Sequence, residues 1–364
     1  MDRLHQPYTH EDYTIGWVCA RPNEQEAATF MLDERHGDLG NPPNDSNVYT
    51  LGSIGKHKIV IAGLPMGRYG TSSAAEVATR MLSTFPNIRV SLLVGIGGGI
   101  PQKTRLGDVV VGCPSGTDPG VVQWDMRKAM ADSSKGSFIR TGSLAPPPSP
   151  LLTALARLQA DPETRANILT YLKDLESIPN IPRSFFKSDS LQDILYESTY
   201  NHAKGPGNGW FDDILGRDDC LYCDKSRIVQ RKERENDLMI HYGLIATANQ
   251  LIKDAITRDE LYKNFNNNVL CFEMEVAGLM NDYPCLVIRG ICDYSDSHRN
   301  REWQNYAAAT AAACAKALLK KLPSSDIDKL HPARTLLPPM MGDAKRLWPF
   351  WRDSEKGRSD VPGG

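Results

Sequence analysis

Residues 269–296 constrain this chain more than any other stretch, because they place charge at the end of a strand that has no need of it. Residues 285–288 form a short apolar run, rich in branched side chains and entered through Pro284, the pattern of a strand covered on both faces. The run delivers Arg289 and Asp293 at and beyond its C-terminal end, the edge of an open α/β sheet where ligands usually bind. Before it, a second apolar run leads into Glu273 and Glu275, alternate positions that face one side if the chain is extended. A purely structural salt bridge from Arg289 to one of these acids accounts for the same residues, and the segment by itself leaves both readings open.

With 364 residues, 41% hydrophobic and 24% charged, the chain can bury the core of one large or two small domains. A net charge of −2 and the lack of a long basic block speak against nucleic acid or an anionic membrane surface as a partner. No uncharged apolar run approaches the roughly 20 residues of a membrane helix, so a cytoplasmic location is expected. Cys19, Cys271, Cys285 and Cys292 lie inside apolar runs and read as small buried hydrophobes in a reducing compartment.

Residues 13–20 are strand-like and precede Arg21, Pro22 and an Ala-rich helix start carrying Glu24 and Glu26, where the helix dipole favours negative charge. Residues 47–51 and 57–64 read as a hairpin. Its second strand runs into Gly67, Arg68, Tyr69 and Gly70, ahead of a helix over 74–82; this turn can hold a phosphate or a sugar hydroxyl, or merely cap the helix. Residues 89–96 are a further strand, after which Gly97, Gly98 and Gly99 offer bare backbone to a ligand or form a tight turn. Strands are also expected over 106–112, 120–125 and 241–249, a helix beginning within 249–255, and an Ala-rich helix over 303–322.

These patterns divide the chain into an N-terminal tail (1–12), a domain (13–322) with a polar insertion at about 161–237, and a Pro-, Gly- and charge-rich segment (323–364) expected to be a disordered tail or linker. The insertion carries His202 and the pair Cys220 and Cys223, half of a zinc-like ligand set. Without a second pair at zinc-finger spacing, the reading is no metal, with the insertion serving as a lid or subunit contact.

Six motifs in order carry a resemblance: Ile15-Gly-Trp-Val-Cys-Ala with Glu24; Gly67-Arg-Tyr-Gly; Val94-Gly-Ile-Gly-Gly-Gly; Leu106-Gly-Asp-Val-Val; Phe272-Glu-Met-Glu; and Val287-Ile-Arg-Gly-Ile-Cys-Asp. Together they resemble the nucleoside phosphorylase/nucleosidase superfamily, most closely the 5′-methylthioadenosine/S-adenosylhomocysteine nucleosidases. The run Gly120-Val-Val-Gln-Trp-Asp, together with residues 285–298, is similar to fungal phosphorylase-like domains that stand alone or precede NACHT modules. The resemblance implies an α/β fold, a three-layer α/β/α domain with a central mixed sheet, and at least a homodimer. It makes Asp293 the acid that protonates purine N7, Glu275 the ligand of the ribose hydroxyls and Met274 the side chain packed on the sugar. Arg289 becomes the brace of this cluster and Glu24 the carboxylate that positions the attacking water. Gly97 and Gly98 form the wall near base and sugar, Leu251 and Ile252 lie near the base, and Glu273 joins the binding set. One departure is Cys292, where the family has serine.

The chemistry suits these residue types. Cleaving an N-glycosidic bond passes through an oxocarbenium-like sugar and an anionic base, so an acid at the base and a carboxylate at the sugar stabilise it from both ends. No metal or organic cofactor is called for. Glu24 stands where a phosphorylase would hold phosphate, which favours water as nucleophile, although Arg68 and Arg21 keep a phosphate-dependent reaction, or a nucleotide substrate, as alternatives. The expected partner is a purine nucleoside or nucleotide. A non-catalytic nucleoside-sensing domain of a signalling protein is the remaining alternative.

Overall fold

Branched apolar runs punctuated by Gly and Pro become strands, and Ala- or Leu-rich stretches opened by Pro or Asp become helices. The computed structural model describes residues 8–129, 138–140, 142–203, 220–280, 283, 285–298 and 301–336. Its strands are β1 (Ile15–Cys19), β2 (Glu34–Arg35), β3 (Tyr49–Ile54), β4 (His57–Gly63), β5 (Val90–Gly99), β6 (Val109–Gly112), β7 (Val121–Gln123), β8 (Arg127–Ala129), β9 (Phe138–Arg140), β10 (Ile240–Thr247), β11 (Val269–Glu273) and β12 (Cys285–Asp293). Its helices are α1 (Pro22–Phe30), α2 (Thr71–Thr84), α3 (Ser149–Ala160), α4 (Thr164–Asp174), α5 (Ala255–Asn264), α6 (Trp303–Lys321) and α7 (Ser324–Asp328).

One mixed sheet runs in the order β11-β10-β6-β12-β5-β1-β4-β3-β2, with β7 paired to β10 and helices flanking it. β12, β5, β1 and β4 are parallel neighbours, so their C-terminal ends share one edge. β11 also pairs antiparallel with β5, Cys271 opposite Gly99 and Phe272 opposite Gly98, which closes β5, β12, β6, β10 and β11 into a ring. Gly97, Gly98 and Gly99 are therefore strand rather than a turn following one. Without side chains there, β5 can approach β11 and β12 at once.

The Ala-rich α6 is buried over most of its length and packs on β12 and β5, small side chains letting helix and sheet come close. The helix expected to begin within 249–255 starts only at Ala255, because the Asp254 carboxylate accepts from Thr257 N (2.8 Å) and Thr257 Oγ1 (2.7 Å) and sets the cap there. The chain after Pro323, read from sequence as a tail or linker, first forms α7, buries Ile327 and Ala333, and donates Ala333 N–H to Ile88 O at 2.7 Å. Residues 337–364 of that segment, like 1–7 of the N-terminal tail and 204–219 of the insertion, lie outside the described residues. The stretch read from sequence as an insertion begins against the helical layer, where Phe185 stacks edge-on to Phe30 at 5.4 Å, and continues to the segment that follows β12.

Candidate active site

The site forms where β1, β5, β11 and β12 end. Past β1, the chain enters α1 and places Glu24 at its third position, 3% exposed. One Glu24 oxygen, Oε2, accepts from Ala20 N (2.7 Å) and Arg21 N (3.0 Å), and Oε1 accepts from Ile96 N (2.9 Å). Glu24 thus sits in the first helical turn, as read from sequence, and by accepting from the N-cap Arg21 N–H it also caps α1, while the same carboxylate lines a cavity. Burial pushes the Glu24 pKa up, against the opposing pull of Arg289 and the three backbone N–H groups.

Arg289, 1% exposed, reaches back under the cavity floor from β12. Its Nη2 lies 2.5 Å from Glu273 Oε2 and 3.6 Å from Glu275 Oε2, and its Nη1 donates to Ile96 O at 3.4 Å. Gly95 makes room for this: a Cβ there would fall 2.5 Å from Glu24 Oε1 and 2.6 Å from Arg289 Nη1. Burial works against the guanidinium charge, but Glu273, Glu275 and Glu24 together raise the Arg289 pKa. Glu273 also accepts from Glu275 N (3.0 Å) and Val276 N (3.2 Å), so it fixes the turn that ends β11. The salt bridge expected on structural grounds is therefore present, and it is made chiefly by Glu273.

Glu275 is left with the weaker contact and the exposure to the cavity. Burial pushes its pKa up to about 8 although Arg289 pulls the other way, with the charges of Glu273 and Glu24 adding to the rise. One guanidinium faces three buried carboxylates, and the one least tightly held keeps its proton most readily.

Asp293 ends β12 at 8% exposure. Its Oδ1 accepts from Ser295 N at 2.9 Å, and Cys292 Sγ donates to Oδ2 at 3.4 Å, so the cysteine faces this carboxylate. Gly98 clears the space beside it: a Cβ would lie 2.7 Å from Asp293 Oδ1 and 2.0 Å from Ser295 Oγ.

A cavity of about 410 Å³ brings these groups together, within the roughly 300–1,000 Å³ of small-molecule sites. Of the residues singled out from sequence, Glu24, Glu273, Met274, Glu275, Asp293, Gly97, Gly98, Leu251 and Ile252 line it, and Arg289 stands behind its carboxylates. Arg68 is the exception. It is exposed on the 65–70 turn and does not line the cavity, whereas its neighbour Tyr69 does; the cations at the wall are Arg21 and Arg301. Sequence reasoning missed Phe272, Gln250, Ser295, Arg301 and Gln304, which also line it. Phe272 sits directly before Glu273 and could have been found from the apolar run; Arg301 and Gln304 reach the site from around the start of α6, outside the quoted motifs.

No protein-family model matches the chain. A nucleotide-binding leucine-rich repeat (NLR)-like protein of Hyaloscypha variabilis is 45% identical over 322 residues, which is 85% of this chain but 29% of that protein's length. The chain thus spans less than a third of that relative. A 5′-methylthioadenosine/S-adenosylhomocysteine nucleosidase of Mycobacterium tuberculosis is 22% identical over 316 residues, 85% of this chain and 97% of its own. Among solved structures, futalosine hydrolase of Helicobacter pylori aligns with a TM-score of 0.52 at 16% identity, covering 86% of this chain and all of its own (100%). A mutant of the H. pylori methylthioadenosine nucleosidase, solved with 5′-methylthioadenosine in its active site, gives 0.51 at 15% identity over 85% and 99% of the two chains.

Proposed function

Because the chain has the fold of the nucleoside phosphorylase/nucleosidase superfamily, we propose that it hydrolyses the N-glycosidic bond of a purine nucleoside or nucleotide, releasing free base and the sugar or sugar phosphate. One observation carries the reading: a carboxyl at the end of β12 and a second, cation-braced carboxyl at the end of β11 line the same small cavity. Asp293 delivers a proton to N7 as the bond between N9 and C1′ breaks, so the base leaves neutral. Glu275 faces the sugar and binds its hydroxyls. Its charge is costly in the free site, and the positive charge that develops on the sugar ring offsets that cost, so the interaction is stronger in the transition state than in the ground state.

Water supplies the nucleophile. Glu24 accepts its proton as oxygen bonds to C1′; three backbone N–H groups fix the carboxylate, and its raised pKa makes it a better base than an exposed glutamate. Arg289 touches none of the reacting atoms and positions Glu273 and Glu275. Leu251, Ile252 and Phe272 offer an apolar wall to the purine.

The NLR-like relative, of which this chain spans 29%, favours a second reading in which the domain senses a nucleoside within a larger signalling protein. One experiment separates the readings: base release from a panel of purine nucleosides and nucleotides, with and without inorganic phosphate. Free sugar formed equally fast without phosphate supports hydrolysis. Sugar 1-phosphate formed only with phosphate makes the protein a phosphorylase, and binding without base release makes it a sensor.

A further inference from the structure

The sulfur atoms of Cys220 and Cys223 both lie against one nitrogen of His202, at 3.5 Å and 3.3 Å from Nδ1, and the three donor atoms all fall within 4.8 Å of one another. A single imidazole nitrogen carries one proton or one lone pair, so it can serve one thiol as hydrogen-bond partner and not two. A tetrahedral cation satisfies all three donors together. With zinc–sulfur bonds near 2.3 Å and zinc–nitrogen bonds near 2.0–2.1 Å, neighbouring sulfur and nitrogen vertices stand about 3.6 Å apart, close to both separations found here.

The surrounding chain is arranged for such an ion. Cys223 N donates to Cys220 O at 3.1 Å, closing the turn between the cysteines, and Cys220 adopts φ +51°, a left-handed conformation uncommon outside glycine. Ala203 N donates to Cys223 Sγ at 3.4 Å, a contact that favours a thiolate. His298 stands edge-on to His202 at 5.8 Å, beside the cluster. The expectation of no metal rested on the lack of a second pair beside His202, Cys220 and Cys223, and the fold brings the donor atoms of these three residues within 4.8 Å of one another.

We propose that His202, Cys220 and Cys223 bind a zinc ion that ties together two stretches of the 161–237 segment, beside the residues following Asp293. His202 N donates to Ser297 Oγ at 2.9 Å, Tyr196 stacks on His298 at 4.0 Å, and the Tyr294 hydroxyl bridges Asp193 (2.5 Å) and Arg231 (2.8 Å). The ion joins those two stretches to each other, and the His202 N–H carries the link on to the backbone that follows the candidate acid. It is structural and takes no part in bond cleavage.

The test is elemental analysis of the full chain, made without a polyhistidine tag in zinc-supplemented medium, together with cobalt titration of chelator-treated protein. The expected result is about one zinc per chain, lost in Cys223→Ser and in His202→Ala, and a thiolate-to-cobalt charge-transfer band in the unsubstituted chain that Cys223→Ser abolishes. The chelator should lower the thermal midpoint of the unsubstituted chain and not that of Cys223→Ser. A chain that holds no zinc and gives no charge-transfer band would overturn the proposal, as would a Cys220–Cys223 disulfide found by thiol labelling. None of these readouts uses base release, so they fail or succeed apart from the proposed function.

Discussion

Glu275→Gln should make the protein more stable and less active at neutral pH, and the stability gain should itself depend on pH. Burial holds the Glu275 pKa near 8, against an ordinary 4.5, so between these values the folded chain keeps a proton that the unfolded chain has released. Stability from this group is then fully present below about 4.5 and is lost as pH rises through about 8. One proton of difference corresponds to about 1.4 kcal/mol per pH unit, or about 3 kcal/mol between roughly pH 5.5 and roughly pH 7.5. Glutamine keeps the shape and removes the titration. Urea unfolding of both proteins across that range should show their stabilities diverging by about 1.4 kcal/mol per unit, the variant ahead at the upper end. Asp296, pushed up to about 6 by burial, titrates in both proteins and cancels in the difference. Base release by the variant should fall, because glutamine has no proton to release to solvent and cannot become the anion that answers the charge on the sugar ring. Two stability curves that stay parallel would refute the argument that Glu275 is the carboxylate left under-compensated by Arg289.

Arg289→Met leaves Glu24, Glu273 and Glu275 buried around no cation and should destabilise the fold by about 3–5 kcal/mol in urea unfolding; a loss under about 1 kcal/mol would mean that the carboxylates are already neutral in the native chain. Glu24→Gln turns an amide N–H₂ toward a backbone N–H at Ile96, Ala20 or Arg21, costing about 1–3 kcal/mol, and should lower kcat about 100-fold or more while KM for the same nucleoside stays within a few-fold. A matched fall in kcat and rise in KM would place Glu24 in substrate binding instead.

The fold was legible where one element carries its own evidence. The apolar run of β12 ending in Arg289 and Asp293, the Pro22 entry to α1 and the β3–β4 hairpin were each readable from a few neighbouring residues. The extension of β5 through Gly97, Gly98 and Gly99 was not, because what makes those glycines strand is β11, paired to them from far along the chain. For the same reason the sequence could not divide Glu273 from Glu275. Alternation puts both toward Arg289, but the turn at Val276 gives Glu273 the N–H donors and the 2.5 Å contact and leaves Glu275 to the cavity. Arg68 was misplaced because a turn fixes where its backbone goes and says nothing of which side chain faces the site; here that is Tyr69. Gly95 looked like an ordinary strand glycine, and its importance appears only once Glu24 and Arg289 meet across it.

The central claim is that the end of β12 supplies a proton to a leaving base, and Asp293→Asn tests it most directly. The amide can still accept from Ser295 N–H, so the site keeps its shape and cannot deliver the proton. On the best purine substrate of the panel, the account predicts that kcat for base release falls about 100-fold or more while nucleoside binding, measured by calorimetry, changes little. Near-normal turnover by Asp293→Asn on every purine substrate tested would contradict it.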